Sequence, residues 1–169
     1  ATAIVQGLLQ RNLYQPADIS CCSGDDDTGK ILSNLTGIHY CANPVDFPAE
    51  TGLIVLACKP QQLDDLDPVI QKFSEGKTLL SILAGTPIEK LRNAFPNASQ
   101  IIRTMPNTPG SIGAGVTAYS PENPLSSEET QIIEAILGTL GHILHVPEEQ
   151  IDAITAISGS GPAYFFQFT

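Results

Sequence analysis

The sequence predicts an α/β fold, with a doubly wound, mostly parallel sheet that is followed by the start of an all-helical domain. Three observations support this prediction. Strand-like and helix-like segments alternate along most of the 169 residues. The strongest strand candidate, Leu53–Cys58, is apolar at every position, as in parallel strands covered by helices on both faces. The final segment, Gly161–Thr169, has the pattern of a proline-initiated apolar helix that a further domain would bury.

The first third of the chain predicts short elements around that strand. Ala1–Leu9 has an apolar helical pattern, and Asp25–Leu35 predicts a helix whose acidic start suits the helix dipole. Between them, Ile19–Cys22 is short and apolar, as a buried strand would be. Ile38–Tyr40 predicts another short strand ahead of Leu53–Cys58.

The alternation continues to the end of the predicted sheet. The clearest helix start is at Ser126, because Glu129 follows three residues later and completes a capping box. A second helix start is predicted where Thr86 would cap a helix with Pro87 in its first turn. In chain order, the predicted elements are a helix over Gln61–Phe73, a strand over Thr78–Leu83, a helix over Pro87–Ala94, strands over Gln100–Thr104 and Gly115–Tyr119, a helix over Ser126–Leu137, a strand over His142–Val146 and a helix over Glu148–Ile157.

Composition excludes several classes of function. With a net charge of −10 and only eight scattered Lys and Arg residues, the chain is a poor candidate for binding nucleic acid. No apolar run is long enough to span a membrane, and no signal peptide is visible. The four cysteines form no C-x-x-C pair and are not spaced with histidines as zinc ligands, so we expect reduced thiols in a cytoplasmic protein and no metal. The low charged fraction of 15% suggests that a partner subunit covers part of the surface.

The most informative motif is Arg103–Pro109, which follows an apolar run with two prolines and an asparagine. A strand that ends in such a turn holds its backbone rigid at the carboxyl edge of the sheet, where open α/β sheets bind ligands. We expect Asn107 to contact a ligand, because its carboxamide both donates and accepts hydrogen bonds. For Arg103, the sequence leaves open whether it pairs with an acid or faces an anion.

Other motifs fall at corresponding positions. Lys59 closes the strongest strand, where a cation would face the ligand crevice, and the small residues of Ser81–Gly85 close the next strand. Ser158–Gly161 offers backbone N–H groups ahead of a helix, which suits an anion. The acids Asp25–Asp27 suit the ribose of NAD, whereas Ser23 suits a 2′-phosphate, so these residues alone do not decide between NAD and NADP.

At these residues the chain resembles the pyrroline-5-carboxylate reductases, the enzymes that complete proline synthesis. The matching segments follow the order and spacing of that family over nearly the whole chain. They are Ala57–Pro60, Ser81–Gly85, Arg103–Pro109, and Asp152-Ala153 leading into Ser158–Tyr164.

The resemblance implies a function and an architecture. Residues 1–157 would form a Rossmann-like domain that binds NADP, with NAD as the alternative, and residues 158–169 would begin a helical domain that dimerises and builds the substrate pocket. Hydride would pass from the nicotinamide to the imine carbon of 1-pyrroline-5-carboxylate, which gives L-proline. The family also implies a homodimer or higher homo-oligomer.

The resemblance implies site residues as well. It places Ser23 near the 2′-phosphate, which favours NADP, and Asn43 near the adenosine ribose. The remaining cofactor-lining residues would be Ala57, Cys58, Lys59, Pro60, Ile82, Leu83 and Ala84, with Met105, Pro106, Asn107 and Thr108 beside the nicotinamide. The substrate and domain junction would comprise Ser158, Gly159, Ser160, Gly161 and Pro162.

The chain departs from the family in three respects. The family begins with a strand and a Gly-x-Gly-x-x-Ala turn that carries the pyrophosphate, and Ala1 would be the last residue of that turn. The family's substrate-binding and proton-donating residues would lie beyond Thr169, so no catalytic residue is named. Cys58 stands where valine is more usual. We therefore expect this chain alone to bind the cofactor weakly and to show little or no turnover.

Two other functions fit parts of the sequence. Another NADP-dependent reductase of this fold, such as a hydroxyacid dehydrogenase or an F420-dependent reductase, would be expected to lack the combination of Arg103–Pro109 and Ser158–Tyr164. A non-catalytic nucleotide-binding or dimerising protein is favoured by the missing glycine turn and opposed by the retained junction motifs.

Overall fold

The computed structural model describes residues 1–24 and 26–159. Within these ranges, helices and strands alternate as the sequence predicts. In chain order they are α1 (Thr2–Gln10), β1 (Ser20–Cys21), α2 (Thr28–Thr36), β2 (His39–Tyr40), β3 (Leu53–Leu56), α3 (Pro68–Phe73), β4 (Thr78–Ser81), α4 (Ile88–Ala94), β5 (Gln100–Met105), β6 (Gly115–Pro121), α5 (Ser127–Gly138), β7 (Gly141–His145) and α6 (Glu148–Ile154). Four short 3-10 turns and a π-helical turn complete the description: Pro16–Asp18, Pro44–Asp46, Pro60–Asp65, Thr108–Ile112 and Thr155–Gly159.

The main sheet has five strands in the order β3-β4-β5-β6-β7, and β1 and β2 form a separate parallel pair. Every neighbouring pair in the main sheet is parallel except β5 and β6. These two strands are antiparallel because a short loop with a single 3-10 turn joins them, and a parallel pair needs a longer crossover. The predicted α/β fold with a mostly parallel sheet is confirmed.

Neighbouring residues of the central strands face opposite cores, which explains why these strands are apolar at consecutive positions. Leu80 packs in the cluster that α1 and α5 cover, whereas Leu79 packs in the cluster that α4 covers. Both side chains are fully buried. Ile101 and Ile102 of β5 divide between the two clusters in the same way. The outer strand β3 is only partly buried over Leu53–Val55, because it pairs with β4 alone among the described strands.

The predicted helix over Gln61–Phe73 is wrong as a single element. The chain instead forms the 3-10 turn Pro60–Asp65, becomes extended at Leu66, and starts α3 at Pro68. The break has a steric cause, because proline disfavours helical geometry in the residue before it. Asp67 takes the N-cap position, and its Oδ1 accepts a hydrogen bond from the Val69 N–H at 2.9 Å.

The predicted start of α4 also needs correction. Thr86 does not cap the helix, because its hydroxyl donates to the Ala84 carbonyl at 3.3 Å, and Pro87 is the N-cap residue. The first helical N–H, that of Ile88, donates instead to Glu148 Oε1 at 2.7 Å. By contrast, the capping box at Ser126 and Glu129 is confirmed, with both reciprocal hydrogen bonds present.

Two buried threonines give a matched test of polar burial. Among the described residues, Thr117 in β6 carries a buried hydroxyl without a hydrogen-bond partner, whereas Thr104 in β5 donates to the Ser81 carbonyl at 2.9 Å. We expect Thr117→Val to raise the free energy of unfolding by about 1 kcal/mol, and Thr104→Val to lower it by about 1–2 kcal/mol. Urea unfolding of both variants measures this, and two shifts in the same direction would contradict it.

Candidate active site at the carboxyl edge of the sheet

The carboxyl ends of β3, β4 and β5 lie side by side at one edge of the main sheet. The strand register pairs Leu56 with Ser81, and Ser81 with Arg103. Three segments leave the sheet at this edge, and each contains residues that the sequence predicts to contact a cofactor. They are Ala57–Pro60, Ile82–Ala84 and Met105–Thr108. The fold therefore brings these segments together where open α/β sheets bind ligands.

The first two segments carry small, exposed residues at the sheet edge. Ala57 and Ala84 are exposed, and Gly85 adopts a φ of +62°, a conformation that glycine tolerates without strain. Leu83 is only 2% exposed and packs in the core, so its backbone alone faces the edge. Small residues of this kind let a flat ligand lie close to the main chain.

The carboxamide oxygen of Asn107 is hydrogen-bonded to the backbone at the start of β6. Its Oδ1 accepts a hydrogen bond from the Val116 N–H at 2.9 Å. A Cβ at Gly115 would lie 2.7 Å from this oxygen, so only glycine lets the amide approach. No described residue accepts a hydrogen bond from the Asn107 NH2 group, which leaves that donor for a ligand.

Arg103 pairs with acids, which answers the question that the sequence left open. The residue is only 3% exposed, its Nη1 lies 3.3 Å from Glu148 Oε1, and its Nη2 donates to Asp152 Oδ1. A guanidinium with two carboxylate partners is not free to bind an anionic ligand.

Sequence reasoning missed Glu148 as a functional candidate. Glu148 and Asp152 lie one helical turn apart on α6, so both reach Arg103, and Glu148 also accepts from the Ile88 N–H. Like charges one helical turn apart repel each other, so a nearby cation stabilises such a pair. That spacing does not say which cation, because Arg103 is 45 residues from Glu148 in the sequence.

At the predicted adenosine end, Ser23 and Asp26 form hydrogen bonds with neighbouring residues of the chain. The Ser23 hydroxyl donates to the Asp26 carbonyl at 2.8 Å, and Asp26 Oδ1 accepts from the Thr28 N–H at 3.0 Å and from the Thr28 hydroxyl. The bonds from Thr28, and to a smaller extent the charge of Lys59, lower the pKa of the Asp26 carboxyl. Two carboxylates therefore lie directly ahead of α2, and two cations act on them: the charge of Lys59 acts on Asp26, and Lys30 pairs with Asp27 at 3.0 Å.

Asn43 follows β2 as Ser23 follows β1. The register of this parallel pair sets Cys21 opposite Tyr40, so both segments leave the pair at the same end. Asn43 is exposed, and its N–H donates to Asp46 Oδ2 at 3.3 Å in a short capped turn. The two residues predicted to contact the adenosine thus follow neighbouring strand ends.

The four cysteines, Cys21, Cys22, Cys41 and Cys58, are free thiols. Burial is the largest cause that raises the pKa of each of them above its usual value. A thiol with a raised pKa stays protonated near neutral pH and is a poor nucleophile. At the candidate site, Cys58 therefore acts as a small apolar residue, much as valine would.

The predicted substrate and domain junction lies at the end of the described chain. The backbone of Thr155–Gly159 continues α6 as a π-helical turn. Ser160, Gly161 and Pro162 lie outside the described residues, as does the side chain of Ser158. The prediction for this segment stays a prediction.

Comparison with known proteins supports the resemblance. No family model matches the chain. It is 31% identical over 169 residues to pyrroline-5-carboxylate reductase 2 of Bacillus subtilis, and 31% identical over 164 residues to the pyrroline-5-carboxylate reductase of Synechocystis. The alignments include 99% and 97% of this chain, and 61% of each relative. The chain thus spans about three fifths of the length of these relatives.

Solved structures agree with the sequence comparison. A pyrroline-5-carboxylate reductase from Coxiella burnetii superimposes with a TM-score of 0.86 at 29% identity, over 98% of this chain and 62% of that structure. The pyrroline carboxylate reductase of Plasmodium falciparum, solved with NADP bound, gives a TM-score of 0.80 at 27% identity, over 98% of this chain and 61% of that structure.

The chain is a homologue of the pyrroline-5-carboxylate reductases.

The same fold recurs in a more distant enzyme. A reductive aminase from Aspergillus terreus, solved with NADPH and ethyl-5-oxohexanoate, gives a TM-score of 0.71 at 19% identity, over 98% of this chain and 58% of that structure. At this identity the likeness concerns the fold alone. No described helix is long and apolar enough to cross a membrane.

Proposed function

We propose that the protein to which this chain belongs reduces 1-pyrroline-5-carboxylate to L-proline with NADPH, the last step of proline synthesis. The observation that carries the proposal is the grouping of Ala57–Pro60, Ile82–Ala84 and Met105–Thr108 at one sheet edge. This grouping occurs in a homologue of enzymes named for that reaction. The relatives reported above favour this reaction over a hydroxyacid dehydrogenase or a non-catalytic protein.

The described residues fit a dinucleotide along this edge. Ala57 and Ala84 leave the backbone open, Lys59 supplies an exposed cation, and the Asn107 NH2 group supplies a donor. We propose that the adenosine end lies between Ser23 and Asn43 and the nicotinamide end beside Met105–Thr108. The Plasmodium relative with NADP bound supports NADP over NAD.

Hydride transfer to an imine requires the protein to orient the nicotinamide and the substrate, and it requires little acid–base catalysis by side chains. When bound, NADPH supplies the hydride that the imine carbon of the substrate accepts. Protonation of the imine nitrogen activates the substrate itself. The rigid backbone of Met105–Thr108 would position the nicotinamide and so set the distance and angle between the reacting carbons. This role accounts for the two prolines around Asn107, because proline restricts the backbone.

We further propose that residues 1–157 form the cofactor domain and that residues 158–169 begin a helical domain that completes the substrate pocket in a homodimer or higher homo-oligomer. Ile157 supports this proposal. It lies in the π-helical turn that follows α6 and is 77% exposed, as expected of an apolar residue that a further domain would cover. The free thiols support a cytoplasmic location.

The proposed function is tested by the product of the complete reading frame that encodes this chain. We expect NADPH oxidation that depends on 1-pyrroline-5-carboxylate and yields stoichiometric L-proline. Oxidation with a 2-oxo acid in place of the cyclic imine, or NADPH binding without turnover, would contradict the proposal.

Lys59 is expected to contribute to the preference for NADPH. Lys59 is exposed after β3, and its charge helps to lower the pKa of the carboxyl of Asp26, whose carbonyl accepts the hydrogen bond of Ser23 at the position proposed for the 2′-phosphate. Removing a hydrogen bond to a charged group is worth about 1.5–3 kcal/mol, so Lys59→Met should raise the Kd for NADPH about tenfold or more and the Kd for NADH less. Fluorescence titration with both cofactors measures the two constants.

A matched control is Lys72→Met, because Lys72 lies in the last turn of α3, which leads to the amino end of β4. This variant is expected to bind both cofactors as the unmodified protein does. Equal losses of NADPH and NADH affinity in Lys59→Met would mean that the Lys59 ammonium contacts a part of the dinucleotide that both cofactors share, and not the 2′-phosphate.

A further inference from the structure

We propose that Arg103 is a positioning residue that fixes α6 and the following turn Thr155–Gly159 against the Met105–Thr108 loop. Its kinetic consequence rests on the proposed function. The physical coupling between the strand and the helix does not, and it is measured separately below.

The geometry places Arg103 between the two parts of the proposed site. Arg103 lies on β5, two residues ahead of Met105, where the loop proposed to face the nicotinamide begins. Its side chain points to α6, whose Glu148 and Asp152 are its carboxylate partners. The next turn of that helix leads into the segment proposed as the substrate and domain junction.

Glu148 extends the connection to a third segment. The same Oε1 that faces Arg103 accepts the Ile88 N–H at 2.7 Å, and Ile88 opens α4 four residues after Ala84, the last residue of the Ile82–Ala84 segment. One carboxylate therefore joins the helix that leads to the junction, the strand that leads to the nicotinamide loop and the helix that follows the second cofactor segment.

The exposure of the three charged groups indicates that the contact between Arg103 and α6 can be removed without unfolding the protein. Arg103 is 3% exposed, whereas the side chains of Glu148 and Asp152 are 33% and 69% exposed. Breaking a buried ion pair is damaging when it leaves an unpaired buried charge. In Arg103→Met the buried charge itself is gone, and water solvates the two carboxylates that remain, so the sheet should still fold.

Freeing α6 should act on the chemical step rather than on cofactor binding. The backbone of Met105–Thr108 remains held by β5 and by the Asn107–Val116 hydrogen bond, so the cofactor side of the site persists. The junction side loses its ionic attachment to β5. A misplacement on the order of 1 Å between reacting groups lowers a rate about 100-fold.

The test compares Arg103→Met with Arg92→Met in the product of the complete reading frame. Arg92 is a matched control, because it is also a paired arginine that contacts a carboxylate, with Nε 3.0 Å from Glu122 Oε1. Glu122 follows β6 beside the amino half of β5, away from the carboxyl edge. Arg92→Met should lower stability while leaving the site unchanged.

For Arg103→Met we expect faster hydrogen exchange in residues 148–159 with unchanged exchange in β4 and β5. We also expect kcat to fall about 10- to 100-fold while the KM for NADPH changes less than about twofold. The primary isotope effect with C4-deuterated NADPH should rise, because hydride transfer becomes more rate-limiting. Arg103→Lys should restore only part of kcat, because an ammonium lacks the fork that reaches both carboxylates.

Unchanged exchange at residues 148–159 in Arg103→Met would overturn the proposal, as would equal losses of kcat in Arg103→Met and Arg92→Met. An unmodified protein that does not reduce 1-pyrroline-5-carboxylate would refute the proposed function instead. The exchange measurement would then still decide, in either direction, whether Arg103 holds α6.

Discussion

Replacing Gly141 by alanine is expected to lower the free energy of unfolding by about 4 kcal/mol or more. Gly141 opens β7 with a φ of +130°, a conformation that side chains rarely adopt. A Cβ there would lie 2.2 Å from the Gly115 carbonyl oxygen and 2.6 Å from the Gly115 nitrogen. Because both are backbone atoms, no side-chain rotation relieves the overlap.

The overlap falls where two strands begin together. Gly115 and Gly141 are register partners in β6 and β7, and the Gly115 N–H donates to the Leu140 carbonyl at 2.8 Å. Separating them would move the start of β6, to which Asn107 is also attached. We therefore expect Gly141→Ala to weaken the candidate site as well as the fold.

Gly138→Ala is the control for this prediction. Gly138 ends α5, and a Cβ there would meet nothing within 4 Å. Alanine is the better helix former, so this variant should be neutral or more stable by up to about 1 kcal/mol. Urea unfolding of both variants measures the difference. A stability for Gly141→Ala within about 1 kcal/mol of that of Gly138→Ala would mean that the strands are not this close.

Replacing Asn107 by aspartate is expected to have the largest effect on activity with little effect on folding. A carboxylate oxygen can still accept the Val116 N–H, so the start of β6 keeps its anchor. The substitution removes the NH2 donor and adds a negative charge beside the proposed nicotinamide position. We expect kcat/KM for 1-pyrroline-5-carboxylate to fall about 100-fold or more, since a lost active-site donor typically lowers a rate by that factor.

Asn107→Leu separates the two functions of this side chain. Leucine removes both the donor and the acceptor, which leaves the Val116 N–H without its partner, so the free energy of unfolding should fall by about 1–3 kcal/mol in addition to the loss of activity. Steady-state kinetics and urea unfolding of the pair measure both effects. An Asn107→Asp variant with full activity would show that the NH2 group touches neither cofactor nor substrate.

Much of the fold was predictable because the central strands carry their own signal. Strands buried on both faces must be apolar at consecutive positions, and Leu79 with Leu80 and Ile101 with Ile102 satisfy this requirement. Proline and glycine after each strand indicate where the chain turns, so the sequence alone locates the carboxyl edge of the sheet. The break before Pro68 also has a local signal, since proline restricts the residue ahead of it, whereas the apolar spacing of Gln61–Phe73 continues through the break and predicts a single helix.

The candidate site was less predictable because its critical contacts are long-range. Nothing local to Arg103 identifies Glu148 or Asp152 as its partners, and the N–H of Ile88 finds its acceptor 60 residues away. The sequence indicated which side chains have the chemistry for a site but not how their hydrogen bonds are shared between protein and ligand. Asn107 illustrates this, since only the structure shows that its oxygen is already engaged.

We propose that the three segments at the carboxyl edge hold a nicotinamide against a cyclic imine. The most direct measurement is the fate of deuterium when the product of the complete reading frame is given C4-deuterated NADPH and 1-pyrroline-5-carboxylate. We predict that mass spectrometry and NMR will find deuterium at C5 of L-proline, the former imine carbon, from one face of the nicotinamide only. L-proline without deuterium from either labelled face, or no L-proline at all, would contradict the account.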